Sequence, residues 1–455
     1  MFDLIILGGG PGGYELAYKA SKKKIKTAII EKDRFGGTCV TVGCIPSKAL
    51  LHAEKIFSEA QRSQNIGINL SSITFDQKQL IKYKDEKISL LVNAAEAKVR
   101  KSGAKIYKGF GKITKDSKAQ SFKIQIDDGE IIEGKNLVIA TGSEIFYPSI
   151  KGLNKEENSN IIDSTDALAM TEIPKNMVIM GAGVIGLELG TFFAGFGSKV
   201  TIVEINSKIA GPFDEDISFK LQKELEKTKN IKFLLGYKIN EINKNSVKII
   251  DKENREEIIE FDKILIAAGR KPRINNLGLE NLKVYVENGA IVTDENLRTN
   301  IPNLYAVGDV NGKSMLAHTA YKEGEVVLEN ILGYNDKINY NQIPSVIYCT
   351  PEVSEIGINE NLAKKMGIEV EIKKIPMLYS GRFVIENDNF DGMLKVILRK
   401  ETREILGLSL LGNYASEIII VGSILVGKRY HPKQLKELVF AHPTVSEIIK
   451  TAIME

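Results

Sequence analysis

The chain has 455 residues, enough for two to four domains and a large core, with 43% hydrophobic and 26% charged residues. A formal net charge of +4, with lysines spread along the whole length, gives no electrostatic case for a nucleic-acid partner. Three cysteines in so long a chain exclude a disulfide scaffold.

The opening Met1–Leu7 has neither the basic region nor the small-residue cleavage site of a secretory leader. It reads as a buried strand, and the protein as cytoplasmic. The apolar run Phe2–Leu7 is followed by Gly8-Gly9-Gly10-Pro11-Gly12-Gly13, a helical pattern from Tyr14 to Lys22, and a second strand, Lys26–Ile30, that ends at Glu31. This is a dinucleotide fingerprint in its full strand–turn–helix–strand context. Gly8 suits a tight turn, Gly10 a close backbone approach to a pyrophosphate, and Gly13 close helix–strand packing. The phosphates meet the positive end of the helix, and Glu31 can accept from the ribose hydroxyls.

Five residues further on begins Gly36-Gly37-Thr38-Cys39-Val40-Thr41-Val42-Gly43-Cys44-Ile45-Pro46-Ser47-Lys48. Two cysteines separated by four residues and set among glycines read as a redox-active disulfide beside a bound cofactor. Residues five apart in an ideal helix have Cα atoms about 8.6 Å apart. A disulfide needs less than about 7 Å. The segment is therefore expected to be kinked, with Gly43 permitting it. Pro46 fits the first turn of a helix, which would put Cys44 at that helix's positive end. Two inert thiols in a core helix is the plainer reading; the glycines and the adjoining fingerprint count against it. A metal site is disfavoured because no second cysteine pair exists. Cys349 stands alone and reads as a buried inert thiol.

Lys112 to Lys135 is polar and looks like surface hairpins. Leu137–Ala140 then runs into Thr141-Gly142-Ser143 as a central strand with its end at a ligand. Ser149 to Asn160 is loop-like, a domain boundary. Met177–Met180 opens a second copy of the fingerprint: Gly181-Ala182-Gly183-Val184-Ile185-Gly186, a helix through Phe196, the strand Lys199–Val203, and Glu204. From first glycine to acidic residue the spacing is 23 positions in both copies. Met177–Gly197 is long and apolar, but Glu188 and six glycines argue against a membrane span. Ile418–Val426 is too short for one. A carboxylate at Glu204, with no arginine in Ile205-Asn206-Ser207-Lys208, favours NAD over NADP; Lys208 is the only counterweight.

Ile264–Ala267 into Ala268-Gly269-Arg270, and Leu304–Val307 into Gly308-Asp309, repeat the strand-plus-glycine pattern. From about Asn341 the character changes. Strands such as Met393–Leu398 and Leu406–Leu411 alternate with helical segments Ala415–Lys428 and Pro432–Phe440, as in an α+β domain. Near the end, His442-Pro443-Thr444-Val445-Ser446-Glu447 pairs a histidine with a carboxylate, a pattern that suits a general base but on spacing alone is weak.

Taken together, these motifs resemble the pyridine nucleotide–disulfide oxidoreductases, most closely the dihydrolipoamide dehydrogenases, over essentially the whole chain. The resemblance rests on Gly36–Leu51, both fingerprints, Ala140–Ser143, Ala267–Pro272, Ala306–Asp309, Met315–His318, Thr350–Gly357 and His442–Glu447. It implies an α/β fold of two Rossmann-like dinucleotide-binding domains plus a C-terminal α+β dimerisation domain. The expected boundaries are 1–148 with 264–338 for FAD, 149–263 for NAD and 339–455 for the interface.

By the resemblance, Gly8, Gly10, Gly13, Glu31, Thr38, Lys48, Gly111, Thr141, Gly142, Ser143 and Asp309 would bind FAD, with Met315, Leu316, Ala317 and His318 along its ring. Gly181, Gly183, Val184, Ile185, Gly186, Glu188, Glu204, Ile239 and Gly269 would serve NAD, and Lys48 could pair with Glu188. Cys44 would communicate with the flavin and Cys39 with substrate, joined as the Cys39–Cys44 disulfide. His442, oriented by Glu447, would be the base and would come from the other subunit of a homodimer. The partner implied is a lipoyl-bearing protein, either the E2 component of a 2-oxo acid dehydrogenase complex or the glycine cleavage H protein; nothing implies a metal, a nucleic acid or a membrane. A glutathione-reductase-like enzyme would want NADP and arginines after Glu204. A mercuric reductase would want a second C-terminal thiol pair. A non-catalytic flavoprotein scaffold or redox sensor would have no need of Cys39, Cys44, His442 and Glu447. Thr41, the residues before His442, and Thr319-Ala320-Tyr321 depart from the commoner family pattern.

Overall fold

The amides of a run such as Leu4-Ile5-Ile6-Leu7 can leave water only if they are paired. In this chain they pair into parallel sheets, whose strands are hidden on both faces and so read as unbroken apolar stretches. The structure, a computed structural model, describes residues 1–127, 129–387 and 391–454. The elements that carry the site are, in chain order, β1 (Phe2–Leu7), α1 (Pro11–Lys22), β2 (Thr27–Glu31), α2 (Gly37–Val42), α3 (Cys44–Arg62), β3 (Asn176–Met180), α4 (Val184–Gly195), β4 (Lys199–Glu204), α5 (Ala317–Ile331) and α6 (Glu447–Met454).

By its own contacts the chain forms two units. The first comprises Met1–Ala49, Gln79–Phe146 and Gly269–Tyr340. Its sheet runs in the order Lys105–Lys108, β2, β1, Ile131–Ile139, Phe122–Ile126, Gly111–Ile113, with Leu304–Ala306 also paired to Ile131–Ile139. One long strand serves two sheets' worth of pairing. The last residues of Ile131–Ile139 lie parallel to β1 and Leu304–Ala306, while its first residues pair antiparallel with Phe122–Ile126. The polar stretch expected to be surface hairpins is indeed antiparallel, but Ile113, Phe122 and Ile124 are fully buried. Strand alternation hides one face of it while the charged residues occupy the other. α1 starts at Gly10 in extended conformation with Pro11 in the first turn, and its last turn carries Lys19 and Lys22, which complement the helix dipole.

The second unit comprises Leu50–Lys78, Tyr147–Ala268 and the residues from Asn341 onward. Its first sheet is all parallel, in the order Ile231–Leu235, β4, β3, Lys263–Ile266, Ile161–Asp163. Lys263–Ile266 pairs with β3 here, so the sequence boundary at 264 falls inside this strand, and the chain returns to the first unit at Gly269. A second, antiparallel sheet runs Ser345–Ile347, Val353–Gly357, Ile405–Leu411, Met393–Arg399, Val370–Pro376. The helix Ala415–Gly427 and α6 pack into the same apolar cluster as these strands. The expected helix over Pro432–Phe440 is only a 3₁₀ segment, Pro432–Glu437. Within it Pro432 and Leu435 alone are buried, and Leu438 is extended, so nothing rewards a further turn. Among the described residues no helix is long and apolar enough to cross a membrane.

Candidate redox and dinucleotide sites

Gly8 has φ +107°, and a Cβ there would collide with the Ala140 carbonyl oxygen; a Cβ on Gly13 would collide with the Gly8 carbonyl oxygen. Gly181 (φ +106°) and Gly186 stand in the same relation to Ala267 and to each other. The middle glycines differ. A Cβ on Gly10 would find nothing nearer than the Gly37 Cα at 4.0 Å, and one on Gly183 nothing within 4 Å. The first and third glycines are thus required by the protein's own backbone. The middle ones border open space at the start of α1 and α4, which is the space a pyrophosphate needs at a helix N-terminus.

Both acidic residues lock the turn they face. Glu31 Oε2 accepts from the Gly9 N–H at 2.6 Å and Oε1 from the Asp33 N–H at 2.7 Å. Glu204 Oε2 accepts from the Ala182 N–H at 2.8 Å, and Oε1 from the Asn206 N–H at 2.8 Å and its side-chain amide at 2.6 Å. A carboxylate has about four acceptor positions, so each keeps capacity for ribose hydroxyls. Lys208, the one cation near Glu204 in sequence, donates instead to the Phe213 carbonyl. Burial pulls its ammonium pKa down, against the opposing pull of Glu215, Glu355 and Asp214. Its side chain is committed elsewhere, and no guanidinium follows Glu204 to clamp a 2′-phosphate.

The cysteines sit where helical geometry breaks. α2 ends at Val42, Gly43 takes φ −144° and ψ −110°, and α3 begins at Cys44. The Ser47 N–H closes the first turn of α3 on the Gly43 carbonyl at 3.0 Å. Cys39 and Cys44 flank this break, with a side-chain hydrogen bond between them. That bond, followed by burial, raises the Cys39 thiol far above its ordinary range, while Lys48 pulls the other way. Cys44 stands at the start of α3, whose positive end favours a thiolate. α2 itself abuts the fingerprint: a Cβ on Gly37 would lie 2.7 Å from the Gly10 Cα. Cys349 is buried, at 1% exposure.

The other residues expected at the first dinucleotide gather in the first unit. Gly8, Glu31, Gly111 and Thr141 border one cleft together with Arg273. Thr141 Oγ1 donates to the Arg273 carbonyl at 2.7 Å. Ser143 Oγ donates to Asp309 at 2.5 Å, and Arg270 Nε donates to the same Ser143 Oγ at 2.7 Å. Gly142 has φ +70° and Gly269 φ +120°. Thr38 and Lys48 lie on α2 and α3. Met315 borders a second depression with Arg270 and Asn311, Leu316 caps α5, and Ala317 and His318 open it. In the second unit Val184, Ile185 and buried Glu188 lie on α4, and Glu188 accepts from the Tyr348 N–H at 3.0 Å. Ile239 packs with Val203 and Met180.

Sequence reasoning passed over three groups. Arg270 and Arg273 lie in or just after Ala267–Pro272, a motif whose glycine alone was singled out. Glu323 is buried on α5 and accepts from the Gly308 N–H at 2.5 Å, Asn311 Nδ2 at 2.9 Å and Tyr340 Oη at 2.7 Å, pinning the turn that carries Asp309. A glutamate on an otherwise apolar helix face was the available signal. The third group is Tyr14 with Tyr321. In the second unit, His442 Nδ1 lies 3.1 Å from Glu447 Oε2, with Glu447 in the first turn of α6 and the imidazole 79% exposed. A carboxylate on Nδ1 leaves Nε2 of the neutral ring as the acceptor.

Comparison with known proteins agrees with this arrangement. Residues 2–324 match the family described as pyridine nucleotide-disulphide oxidoreductase, and residues 343–453 match its dimerisation domain. The chain is 37% identical over 460 residues to a mitochondrial dihydrolipoyl dehydrogenase of Pisum sativum, covering 99% of this chain and 91% of that one. It is 38% identical to a leghemoglobin reductase of Vigna unguiculata, covering 99% and 87%. Among solved structures it is similar to the HOCl-induced flavoprotein disulfide reductase RclA from Escherichia coli, with TM-score 0.85 and 27% identity, covering 99% of both chains. Two dinucleotide turns, a thiol pair against the first of them and a dimerisation domain that carries a His–Glu pair make this chain a member of the pyridine nucleotide-disulphide oxidoreductase family.

Proposed function

We propose that this chain is a dihydrolipoyl dehydrogenase, oxidising protein-bound dihydrolipoamide to lipoamide and reducing NAD⁺ to NADH. The observation that carries the reading is the Cys39–Cys44 pair, hydrogen-bonded across the α2–α3 break and set against the first fingerprint at Gly10. FAD, when bound, supplies a two-electron carrier between a dithiol and a nicotinamide.

The residues of the chain divide the remaining tasks. Cys39 takes the substrate sulfur and Cys44 holds the released thiolate at the head of α3. His442 Nε2 removes the substrate's thiol proton, with Glu447 fixing the tautomer. Glu31, Thr38, Lys48, Gly111, Thr141, Gly142, Ser143 and Asp309 would hold FAD, with the Ser143–Asp309–Arg270 bonds fixing the last of them, and Met315 to His318 would complete its site. Glu204, Val184, Ile185, Glu188, Ile239 and Gly269 hold NAD, with the carboxylate of Glu204 repelling a 2′-phosphate. On this reading residues 1–148 with the segment after Gly269 are the FAD domain, 149–268 the NAD domain, and 339–455 the interface of a homodimer in which each His442 serves the partner's thiols. On this reading the lipoyl group is presented by an E2 component or a glycine cleavage H protein, in the cytoplasm.

The test compares two reactions of the purified holoenzyme: NAD⁺ reduction by dihydrolipoamide and NADPH oxidation by glutathione disulfide. The first is expected to exceed the second by roughly a hundredfold or more in kcat/KM. Equal rates, or a preference for the second pair, overturn the assignment.

A further inference from the structure

The two fingerprints share a feature beyond their glycines. After each acidic residue the chain turns back and bonds the glycine turn it has just faced. In the first copy the Gly36 N–H donates to the Gly9 carbonyl at 2.9 Å; in the second the Ala210 N–H donates to the Ala182 carbonyl at 2.9 Å. Both returning residues have positive φ, +92° at Gly36 and +62° at Ala210. Glycine takes that conformation freely, whereas the alanine Cβ is crowded against the next carbonyl. The first return leads into α2 and Cys39. The second is strained and has to be held in place by its surroundings.

The grip comes from the C-terminal module, within the same unit. Asn359 Nδ2 donates to the Pro212 carbonyl at 2.9 Å and to Glu355 Oε1 at 2.9 Å. The Asp214 N–H and Ser409 Oγ each donate to Glu355 Oε2 at 2.9 Å. Buried Lys395 lies 2.8 Å from Asp214 Oδ2 and 2.7 Å from both Asp216 Oδ2 and Glu360 Oε2. At its other end the segment leaves β4 at Glu204, and the Asn206 carbonyl accepts from the Gly236 N–H at 2.9 Å. Lys208 braces the middle by donating to the Phe213 carbonyl. Ile205–Phe213 is thus a strap tied at both ends, with Ile209, Ala210 and Phe213 buried beneath it. Its first turn also fixes the acidic residue, because Glu204 Oε1 accepts from both the N–H and the side-chain amide of Asn206.

We propose that Asn359 is a positioning residue for NAD: from the C-terminal module it holds the strap Ile205–Phe213, and the strap holds Glu204 at the ribose end of the dinucleotide. The proposal deepens the reading above and rests on it for the identity of the ligand. In a strand–turn–helix site the acidic residue ending the second strand receives the ribose hydroxyls, and the glycine turn receives the pyrophosphate. The strap bonds to both, to Glu204 through Asn206 and to the turn through Ala182. Freed at Pro212, the return at Ala210 relaxes out of its left-handed conformation, and the carboxylate loses its fixed aim. Asn359 acts through the strap, and its effect belongs to dinucleotide binding rather than to thiol chemistry.

Asn359 also caps the helix Glu360–Lys365, its Oδ1 accepting from the Leu362 N–H at 3.0 Å, so the test has to spare that cap. Asn359→Ser keeps a capping oxygen and removes both amide donors. Titration calorimetry of the flavin-loaded protein with ADP-ribose, which carries no nicotinamide, reads the site without turnover. In the variant Kd for ADP-ribose is expected to rise about three- to tenfold, the scale of one hydrogen bond. KM for NAD⁺ rises in step, while kcat and KM for dihydrolipoamide keep their wild-type values. Amide exchange of residues 205–214, read by mass spectrometry, speeds up in the variant and is slowed by ADP-ribose in the wild type. An unchanged Kd in Asn359→Ser overturns the proposal. So does a loss shared by kcat, KM for dihydrolipoamide and flavin content, which marks general damage. If the variant does not hold flavin, the wild type decides: exchange at 205–214 that ADP-ribose leaves unchanged overturns the strap's role. A wild type that prefers 2′-phospho-ADP-ribose, with the same loss in Asn359→Ser, supports the strap and removes the NAD reading, so the two fail separately.

Discussion

Glu31 and Glu204 each use one carboxylate oxygen on the turn of their own fingerprint and the other on the residue two positions on, keeping spare acceptor capacity for ribose hydroxyls. This double duty makes Glu204 a sharp point for perturbation. Glu204→Ala removes both the ribose acceptor and the charge opposed to a 2′-phosphate. The ratio of kcat/KM for NAD⁺ over NADP⁺ is expected to fall by about tenfold or more, measured with dihydrolipoamide. Lys208, bound to the Phe213 carbonyl, gives the variant little cationic help, so NADP⁺ activity itself rises only modestly. His442→Gln, which removes an exposed base without disturbing a core, is expected to lower kcat about 10²–10⁴-fold while flavin content stays unchanged. A fall of less than twofold would show that another group takes the thiol proton.

At the scale of elements, the strand–turn–helix junctions tolerate no added methyl at their third glycine. Gly13→Ala places a Cβ against the Gly8 carbonyl and is expected to cost about 1–3 kcal/mol, with flavin lost on gel filtration; Gly186→Ala repeats this in the second copy and weakens NAD⁺ binding. A second prediction concerns the Asp309 turn, pinned to α5 by Glu323. Burial raises the Glu323 carboxyl above the usual carboxylate range despite its three hydrogen bonds. A carboxyl with a raised folded pKa contributes stability that is full below the unfolded pKa and lost as pH rises through the folded one. The wild-type thermal midpoint should therefore drop relative to that of Glu323→Gln as pH rises from about 4.3, the ordinary glutamate value. Differential scanning calorimetry of the two proteins between pH 4 and 8 checks it; a constant difference would contradict it.

For the whole molecule, the module matched as a dimerisation domain leaves apolar side chains uncovered on one of its helices. Ile420 and Ile424, on the helix Ala415–Gly427, are 60% and 52% exposed. Charging both, as Ile420→Glu with Ile424→Glu, is expected to turn a dimer of 50.4 kDa chains into monomers by analytical ultracentrifugation and to abolish dihydrolipoamide turnover. A monomer that keeps full activity would show that His442 serves the thiols of its own chain.

The amino-acid order alone determined the two dinucleotide turns, because glycine spacing, a following helix and a terminal carboxylate are local features that no distant contact needs to complete. It also determined the break between Cys39 and Cys44, since two sulfurs five positions apart cannot meet on a regular helix. Only the tertiary structure decided what required residues far apart in sequence. Ser143 meets Asp309 and Arg270 across more than a hundred positions, Glu323 closes on Gly308 and Tyr340, and Tyr14 finds Tyr321 from another helix. The strand Lys263–Ile266 likewise chose its sheet by pairing with β3, a partner that periodicity cannot name. Local pattern sets which backbone shapes a segment can take; which side chains then share a proton or a charge depends on packing between elements, and that is a property of the fold.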